Sequence, residues 1–295
     1  MPSVSADRGL VMNVAYRLLG SVSEAEDAVQ DAFARWYAMS DDARKEIESP
    51  TGWLVTVTTR ICLDVLGSAR ARREQYVGEW LPEPVPAAAQ WTSQAVSDRA
   101  DDPADRVSLD ESLSMALLVV LEAMTPAERV AFVLHDVFRY TFAEVGEIVG
   151  RSPQACRQLA SSARRRVREA RGDRVSAQEH ARVVAEFRTA LETGDLASLI
   201  KILDPNATAV PDGGGLVQAA TRPIVGAEAI ARYLLGLYEM LPELTFQPTT
   251  VNGRAGLVAQ DEAGRALAVA SVAIAHGLIE RIWVIRNPGK LTGWI

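Results

Sequence analysis

Arginine residues are concentrated in one short stretch of a chain that is otherwise acidic. Eight of them lie between positions 151 and 174, whereas the whole chain of 295 residues has a net charge of −7. A guanidinium group pairs with phosphate oxygens and can form two hydrogen bonds with a base edge. We therefore expect this segment to be held against DNA.

The residues around the arginines predict a helix-turn-helix. Thr141 and Glu144 have the spacing of a capping box, which begins the first helix. Gly150 can adopt the left-handed conformation that ends it. Ser152 can cap the second helix, with Pro153 at its first position.

The second helix has an apolar and a polar side. Ala155, Leu159, Ala163 and Val167 recur every fourth residue, so we expect them to face the core. A solvated basic face on an ordinary helical hairpin is the alternative interpretation. The residues expected to contact DNA are Arg151, Ser152, Gln154, Arg157, Gln158, Ser161, Arg164 and Arg165.

The composition of the chain limits the remaining functions. Its length allows two or three domains. Cys62 and Cys156 have no partner at metal-ligand spacing, so we expect reduced core cysteines and neither a metal nor a cofactor. Without an apolar run typical of a signal peptide or a membrane span, the chain is expected to be cytoplasmic.

Four sections follow from the patterning. Residues 1–74 are predicted to be helical, with a capping box at Ser23 and Glu26 and a third helix from about Ser49 and Pro50. Residues 75–111 are acidic and rich in proline, which is typical of a linker. Residues 112–174 form a second helical unit, in which a helix that begins with Thr125 packs behind the helix-turn-helix.

Residues 175–295 are predicted to form an α+β domain. Helices are expected at 177–193 and 195–203, a strand at 207–210 and another helix after Gly226. Alternating patterns then predict strands at 244–251, 255–260, 266–275 and 278–284. The predicted fold is therefore multidomain, with two all-α regions and one α+β domain.

Several of these segments resemble a bacterial extracytoplasmic-function sigma factor, a promoter-recognition subunit of RNA polymerase. The runs 15–20 and 24–31 resemble the start of sigma region 2, and residues 126–168 resemble region 4, which reads the −35 element. The resemblance implies that Asp27, Gln30 and Asp31 bind the clamp helices of the polymerase β′ subunit.

The run 53–60, continuing to position 73, is similar to the segment that opens and reads the −10 element. Before it, residues 40–50 match a loop that captures a flipped base. The −10 contacts implied by the resemblance are Trp53, Arg60, Arg70, Arg72 and Arg73.

Three further motifs resemble a sigma subgroup with a fused C-terminal SnoaL-like domain. They lie at 76–84, 212–215 and 287–291, where Gly289 replaces the acidic residue of an Asn-Pro-Asp-Lys-Leu run. The regulatory contacts that the resemblance implies are Trp80, Leu81, Pro82, Glu83, Pro84, Asp212, Gly213, Gly214, Gly215, Asn287, Pro288 and Lys290.

The C-terminal domain has two competing interpretations. As a regulatory module it would contact the linker, with the glycine run as a flexible loop against residues 80–84. As an enzyme it would need an acid or base, for which His276, Asp212, Asp261 and Tyr233 are the candidates. We favour regulation without catalysis and leave open a small-molecule ligand. A stand-alone helix-turn-helix regulator is the alternative for the whole chain.

Overall fold

The computed structural model describes residues 8–87, 89, 91, 113–170, 175–241 and 243–294, with the side chains of 69–74 left out. The chain divides into two compact units. The helical unit contains residues 1–74, 89–113 and 117–170, and the C-terminal unit contains residues 75–88, 114–116 and 171–295. None of the described helices is long and apolar enough to cross a membrane.

Eight α-helices are described in the first 170 residues. They are α1 (Arg8–Leu19), α2 (Val22–Ala38), α3 (Asp41–Lys45), α4 (Pro50–Glu74), α5 (Met115–Glu122), α6 (Pro126–Phe132), α7 (Phe142–Val149) and α8 (Pro153–Ala170). A π-helical turn, Val133–Val137, continues α6. The short α3 lies where the sequence predicts only a loop.

The helix ends follow the capping chemistry of the sequence, with one correction. Complete capping boxes begin α6 at Thr125 and α7 at Thr141. Gly150 ends α7 with φ of 70°, in the left-handed region that favours glycine. The predicted cap of α2 at Ser23 is wrong, because Ser21 accepts the hydrogen bond from the Glu24 amide.

The apolar side of α8 is also displaced from the prediction. Cys156, Ala160, Ala163 and Val167 are buried. Ala155 and Leu159, which were expected in the core, are only half-buried. The buried residues are spaced by three or four, as the 3.6-residue helical turn requires, whereas a strict spacing of four drifts around the helix.

The C-terminal unit has helices on one face of a six-stranded sheet. Its elements are α9 (Ala177–Glu192), α10 (Leu196–Ile202), β1 (Leu203–Asp212), β2 (Ile224–Val225), α11 (Ala227–Met240), β3 (Thr245–Val251), β4 (Arg254–Gln260), β5 (Ala266–Ala275) and β6 (Leu278–Ile285). The strand order is β2-β1-β6-β5-β4-β3, in which only the β1–β6 pair is parallel.

A single apolar core joins the helices to the sheet. Phe187 of α9, Leu199 of α10 and Ile230 of α11 pack with Ile282 and other strand residues. The fold is the predicted α+β class, and β3 to β6 agree with the predicted strands to within one residue at each end. The prediction for β1 was too short, since this strand extends to Asp212.

Candidate nucleic-acid interface and linker clamp

The polar side of α8 is largely exposed. Arg164 is the exception among the residues predicted to contact DNA. Its side chain is 31% exposed and its Nε lies 2.8 Å from the buried Asp136 carboxylate. The exposed residues are Arg151, Ser152, Gln154, Arg157, Gln158, Ser161 and Arg165.

Packing between the two helices of the motif positions Arg157. Its guanidinium carbon lies 5.4 Å from the centre of the Phe142 ring. The Phe142 ring is stacked on His135 with centroids 3.8 Å apart, and His135 Nδ1 lies 2.7 Å from the Tyr140 carbonyl oxygen. Ser152 caps α8 by accepting a hydrogen bond from the Ala155 amide at 3.2 Å. The first turn of α8 is thus held in one orientation with Arg157 at its surface.

A second polar surface lies on α2. Asp27, Gln30 and Asp31 are exposed, while Ala28 and Val29 between them are buried. Residues three and four positions apart share one face of a helix, so these three side chains form one surface. This acidic surface faces outward because the apolar side of α2 is used for packing within the helical unit.

The residues predicted for the −10 element lie on α4. Trp53 is half-buried, with its ring 5.3 Å from that of Trp36. Arg60 donates hydrogen bonds to two carbonyl oxygens near the end of α7, those of Glu147 at 2.9 Å and Ile148 at 3.4 Å. The α4 backbone also contains Arg70, Arg72 and Arg73, whose side chains lie outside the described part of the structure.

In the C-terminal unit, Asp212 at the end of β1 binds the first part of the predicted linker. Its carboxylate accepts hydrogen bonds from the Tyr76 hydroxyl at 2.5 Å and the Leu81 amide at 3.0 Å. Lys290 Nζ lies 2.7 Å from the same carboxylate and also donates to the Leu81 carbonyl oxygen at 2.5 Å. Asn287 donates to the Tyr76 hydroxyl at 2.7 Å. We call these five residues the linker clamp.

The charged pair of the linker clamp is buried. The Asp212 side chain is fully buried and that of Lys290 is 10% exposed. Burial, followed by the hydrogen bond with Asp212, raises the pKa of Tyr76, so its hydroxyl remains a donor to the carboxylate. Lys290 Nζ also lies 4.2 Å from the Trp80 ring centre, within the range of a cation–π interaction.

The glycine run after Asp212 packs closely against the start of the linker. Gly214 has φ of 62°, and a Cβ atom there would lie 2.4 Å from Asn287 Nδ2 and 3.0 Å from the Tyr76 hydroxyl. A Cβ at Gly215 would lie 3.0 Å from Val77. Gly213 is buried. The run therefore lies against residues 76–77, just before the 80–84 segment that the sequence indicated.

Other contacts hold the following linker residues. Val85 and Asn252 exchange two hydrogen bonds, from the Asn252 amide at 2.9 Å and from the Val85 amide at 3.1 Å. The Trp294 indole donates to the Pro84 carbonyl oxygen at 3.0 Å. Pro82 and Glu83 are also buried, while Pro288 is exposed. Gly289, which stands at the position of the missing acidic residue, is exposed too. The hydrogen bonds from residues 287–291 to the linker come from Asn287 and Lys290.

The candidate catalytic residues do not form one site. His276 lies in the turn between β5 and β6 with φ of 52°, and Asp261 accepts hydrogen bonds within the turn before β5. The Tyr233 hydroxyl accepts from the Ala220 amide at 3.3 Å, and Asp212 belongs to the linker clamp. Within the described ranges, no group of three or more His, Cys, Asp or Glu side chains is arranged to hold a metal ion.

Cys62 and Cys156 are buried free thiols, as expected. Burial raises the pKa of both, which keeps them protonated and weakly nucleophilic. Neither cysteine therefore adds a reactive group to the surfaces described above.

Comparison with known proteins covers both units. Residues 4–73 match the family model of Sigma-70 region 2, and residues 114–167 match that of Sigma-70, region 4. The ECF RNA polymerase sigma factor SigJ of Mycobacterium tuberculosis is 39% identical over 295 residues, covering 96% of this chain and 90% of the relative.

Two further comparisons extend over nearly the whole chain. The probable ECF RNA polymerase sigma factor SigI of M. tuberculosis is 35% identical, with 97% of this chain and 92% of the relative covered. The crystal structure of M. tuberculosis SigJ superimposes with a TM-score of 0.75 at 34% identity, covering 98% of this chain and 96% of that one. The similarity therefore includes the α+β domain as well as the two helical regions.

Proposed function

Because the chain belongs to the extracytoplasmic-function RNA polymerase sigma factors, we propose that its helical unit directs core RNA polymerase to promoters under the control of its C-terminal unit. The observation that carries this proposal is the 39% identity to a sigma factor over 96% of the chain. We assign region 2 to residues 1–74, the linker to 75–111, region 4 to 112–174 and the SnoaL-like regulatory domain to 175–295.

Core polymerase is bound by the acidic surface of α2. Asp27 and Asp31 each bring a full negative charge to an exposed face, and Gln30 adds hydrogen-bonding groups between them. Such a face suits a basic partner surface, because opposite charges raise both the rate and the specificity of association. The β′ clamp helices are the partner that we assign to it.

The −35 element is read by the exposed side of α8. Gln154, Arg157 and Gln158 are the base-reading candidates, since amide and guanidinium groups form paired hydrogen bonds with adenine and guanine. Ser161 and Arg165 extend the same surface, while Arg151 and Ser152 lie at the helix N-terminus, where phosphates bind. We assign Arg164 a positioning role, because Asp136 already engages its guanidinium group.

The −10 element is read by α4, with Trp53 in its first turn, Arg60 near its middle and Arg70, Arg72 and Arg73 toward its end. Arg60 is engaged by the carbonyl groups of Glu147 and Ile148 in the same helical unit. DNA phosphates must therefore compete with these two carbonyls for Arg60. We infer that the packed helical unit is a resting form, which opens when polymerase and promoter engage its two regions.

The C-terminal unit regulates by holding the start of the linker. The linker clamp and the contacts of Pro84 and Val85 fix residues 76–85 on the domain. The chain that remains free to join region 2 to region 4 is then shorter, which changes the effective concentration of one region at its promoter element when the other is bound. The chemistry of transcription belongs to the polymerase, and we assign no catalysis to this domain.

Run-off transcription with purified bacterial core polymerase tests the proposal, using the full chain and promoter DNA from upstream of its own gene. We expect specific transcripts that decrease when Asp27 and Asp31 are both replaced by alanine. Asp212→Ala, which disrupts the linker clamp, is expected to change transcript yield while core association is retained. Glu228→Ala removes an exposed carboxylate from the C-terminal unit and serves as the control.

The outcomes separate the alternatives. Absence of both transcripts and core association, on several promoters, would contradict the sigma-factor assignment and favour a stand-alone DNA-binding regulator. Equal yields from wild type and Asp212→Ala would contradict regulation through the linker clamp and leave the sigma-factor assignment intact.

A further inference from the structure

An apolar cavity lies between α11 and the sheet of the C-terminal unit. Its volume is about 70 Å³, and it is partly open to solvent. Its lining is formed by Phe187, Leu191, Leu234, Leu237, Tyr238, Leu241, Leu244, Phe246, Leu257, Ala259, Leu267, Ala268, Ala270, Ile282, Val284 and Arg286. Water is poorly held in such a cavity, because it needs two to four polar partners.

Arg286 is the one charged residue among the described residues that line the cavity. Its Nη1 donates a hydrogen bond to the Gln218 carbonyl oxygen. A guanidinium group has five N–H donors, so one such bond leaves capacity for an anion. The lining reaches the surface at Leu241, which is 36% exposed. This combination fits a ligand with an apolar body and one carboxylate group.

The lining is suited to binding rather than to turnover. Among the described residues around the cavity there is no histidine, aspartate, glutamate or cysteine. The candidate acids and bases His276, Asp261 and Asp212 lie elsewhere. Proton transfer needs a group within hydrogen-bond reach of the reacting atoms, and Tyr238 is the only lining side chain described that carries a hydroxyl group.

The backbone connects Arg286 to the linker clamp. The amides of Arg286 and Asn287 both donate to the Asp212 carbonyl oxygen, at 2.7 and 3.0 Å. The Asp212 carboxylate in turn binds Tyr76, the Leu81 amide and Lys290. A ligand that pairs with Arg286 therefore binds the residue next to Asn287. Arg286 is bonded to Asp212, and Asp212 is bonded to the linker, so two hydrogen bonds connect the ligand-binding residue to the linker.

We propose that this cavity binds an apolar carboxylate, with its anionic group on Arg286, and that occupancy alters the hold of the linker clamp on residues 76–85. The second part rests on the proposed regulation through the linker clamp. The carboxylate is bound without being transformed, so it acts as a signal for the sigma factor.

Binding is tested on the full chain by calorimetry with hexanoate, octanoate and decanoate, each compared with the alcohol of equal length. We expect saturable binding of at least one carboxylate, about tenfold tighter than its alcohol, because a charge-assisted hydrogen bond to Arg286 is stronger than a bond from a neutral hydroxyl group. Arg286→Met should abolish this preference and Arg286→Lys should retain part of it. Ala268→Met, which fills the cavity, should weaken binding of both acid and alcohol.

Hydrogen–deuterium exchange of residues 76–85, with and without the bound carboxylate, tests the connection to the linker. We expect the exchange rate to change in wild type and to stay constant in Arg286→Met. Absence of saturable binding by every carboxylate, or equal binding by Arg286→Met that melts like wild type, overturns the proposed site. Binding that leaves hydrogen–deuterium exchange of residues 76–85 unchanged overturns the connection between cavity and linker. Equal transcription by wild type and Asp212→Ala contradicts only the regulation through the linker clamp, on which that connection rests.

Discussion

Along α8 most polar side chains face solvent, whereas in the linker clamp Asp212 and Lys290 are almost completely buried and bind each other. Exposed ion pairs contribute about 0–1 kcal/mol to stability, because water and salt screen them. Breaking a buried pair by removing one partner costs about 3–5 kcal/mol, because the remaining charge is left without compensation. The exposed polar groups of α8 are therefore available to another molecule, whereas those of the linker clamp hold the chain itself.

The largest effect is expected when the linker clamp loses its carboxylate. Asp212→Ala should lower the stability of the C-terminal unit by about 3–5 kcal/mol, because the charge of Lys290 stays buried without the Asp212 carboxylate. Hydrogen exchange of residues 76–85 and urea denaturation measure this loss. Glu228→Ala is the matched control, since that carboxylate is 65% exposed. Equal stability of the two variants would remove the distinction between the linker clamp and the exposed surface.

On α8 we expect a smaller effect, which falls on DNA binding and not on stability. Arg157→Ala should weaken promoter binding by the polymerase complex by about 1–3 kcal/mol and relax preference at one −35 position. Thermal stability should hardly change, because the Arg157 side chain is exposed. Filter binding on −35 variants measures the loss, and Arg232→Ala on α11 is the charge-matched control. A stability loss with unaltered DNA preference would make Arg157 a structural residue.

Buried polar groups of the C-terminal unit also predict a pH dependence. His180 lies 3.2 Å through Nε2 from the Val272 carbonyl oxygen, and burial lowers its pKa from 6.5. The unfolded chain therefore binds a proton more readily than the folded one. Stability should fall as the pH drops below 6.5, by up to about 1.4 kcal/mol per pH unit from this group. Denaturation at pH 5–7 should show a weaker dependence in His180→Gln, and identical slopes would contradict this origin.

The sequence predicted the elements better than the contacts between them. Capping at Thr125 and Thr141 and alternation in β3 to β6 are local signals, because each depends on residues a few positions apart. Most of the linker clamp was implied by the resemblance to a sigma subgroup. Its bonds to the linker connect positions more than a hundred residues apart, such as Tyr76 and Asp212, and no periodicity encodes such a distance.

Two further contacts had weak signals or none. Asn252 belongs to an Asn-Gly pair that indicates the β3–β4 turn, yet its bonds with Val85 depend on where the linker lies. Arg164 and Arg165 are adjacent arginines on the same helix. Their environments differ because Arg164 lies beside the Asp136 carboxylate, a contact that the sequence does not indicate. Spacing on α8 separated a polar from an apolar side, but it could not identify the arginine at the edge that is used within the protein.

Arg60 is intermediate between the exposed residues of α8 and the buried linker clamp. The smallest effect is expected when Arg60 is replaced. It is exposed like the α8 residues, yet it donates to the carbonyl groups of Glu147 and Ile148. Arg60→Ala should cost at most about 1 kcal/mol of stability, because both acceptors can bond to water instead. Since these bonds join α4 to α7, the variant should nevertheless populate more open forms of the helical unit.

Distance measurements between labels at Tyr37→Cys and Ser161→Cys, both exposed positions, test this expectation. The distribution should broaden in Arg60→Ala, recover partly in Arg60→Lys and stay unchanged in Asp212→Ala, whose contacts lie in the C-terminal unit. An unchanged distribution in Arg60→Ala would show that the remaining contacts keep the regions together, among them apolar packing and the 2.7 Å hydrogen bond from Arg129 to the Leu18 carbonyl oxygen. In that case polymerase and promoter would have to break those contacts, and competition for Arg60 would play no part in opening the resting form.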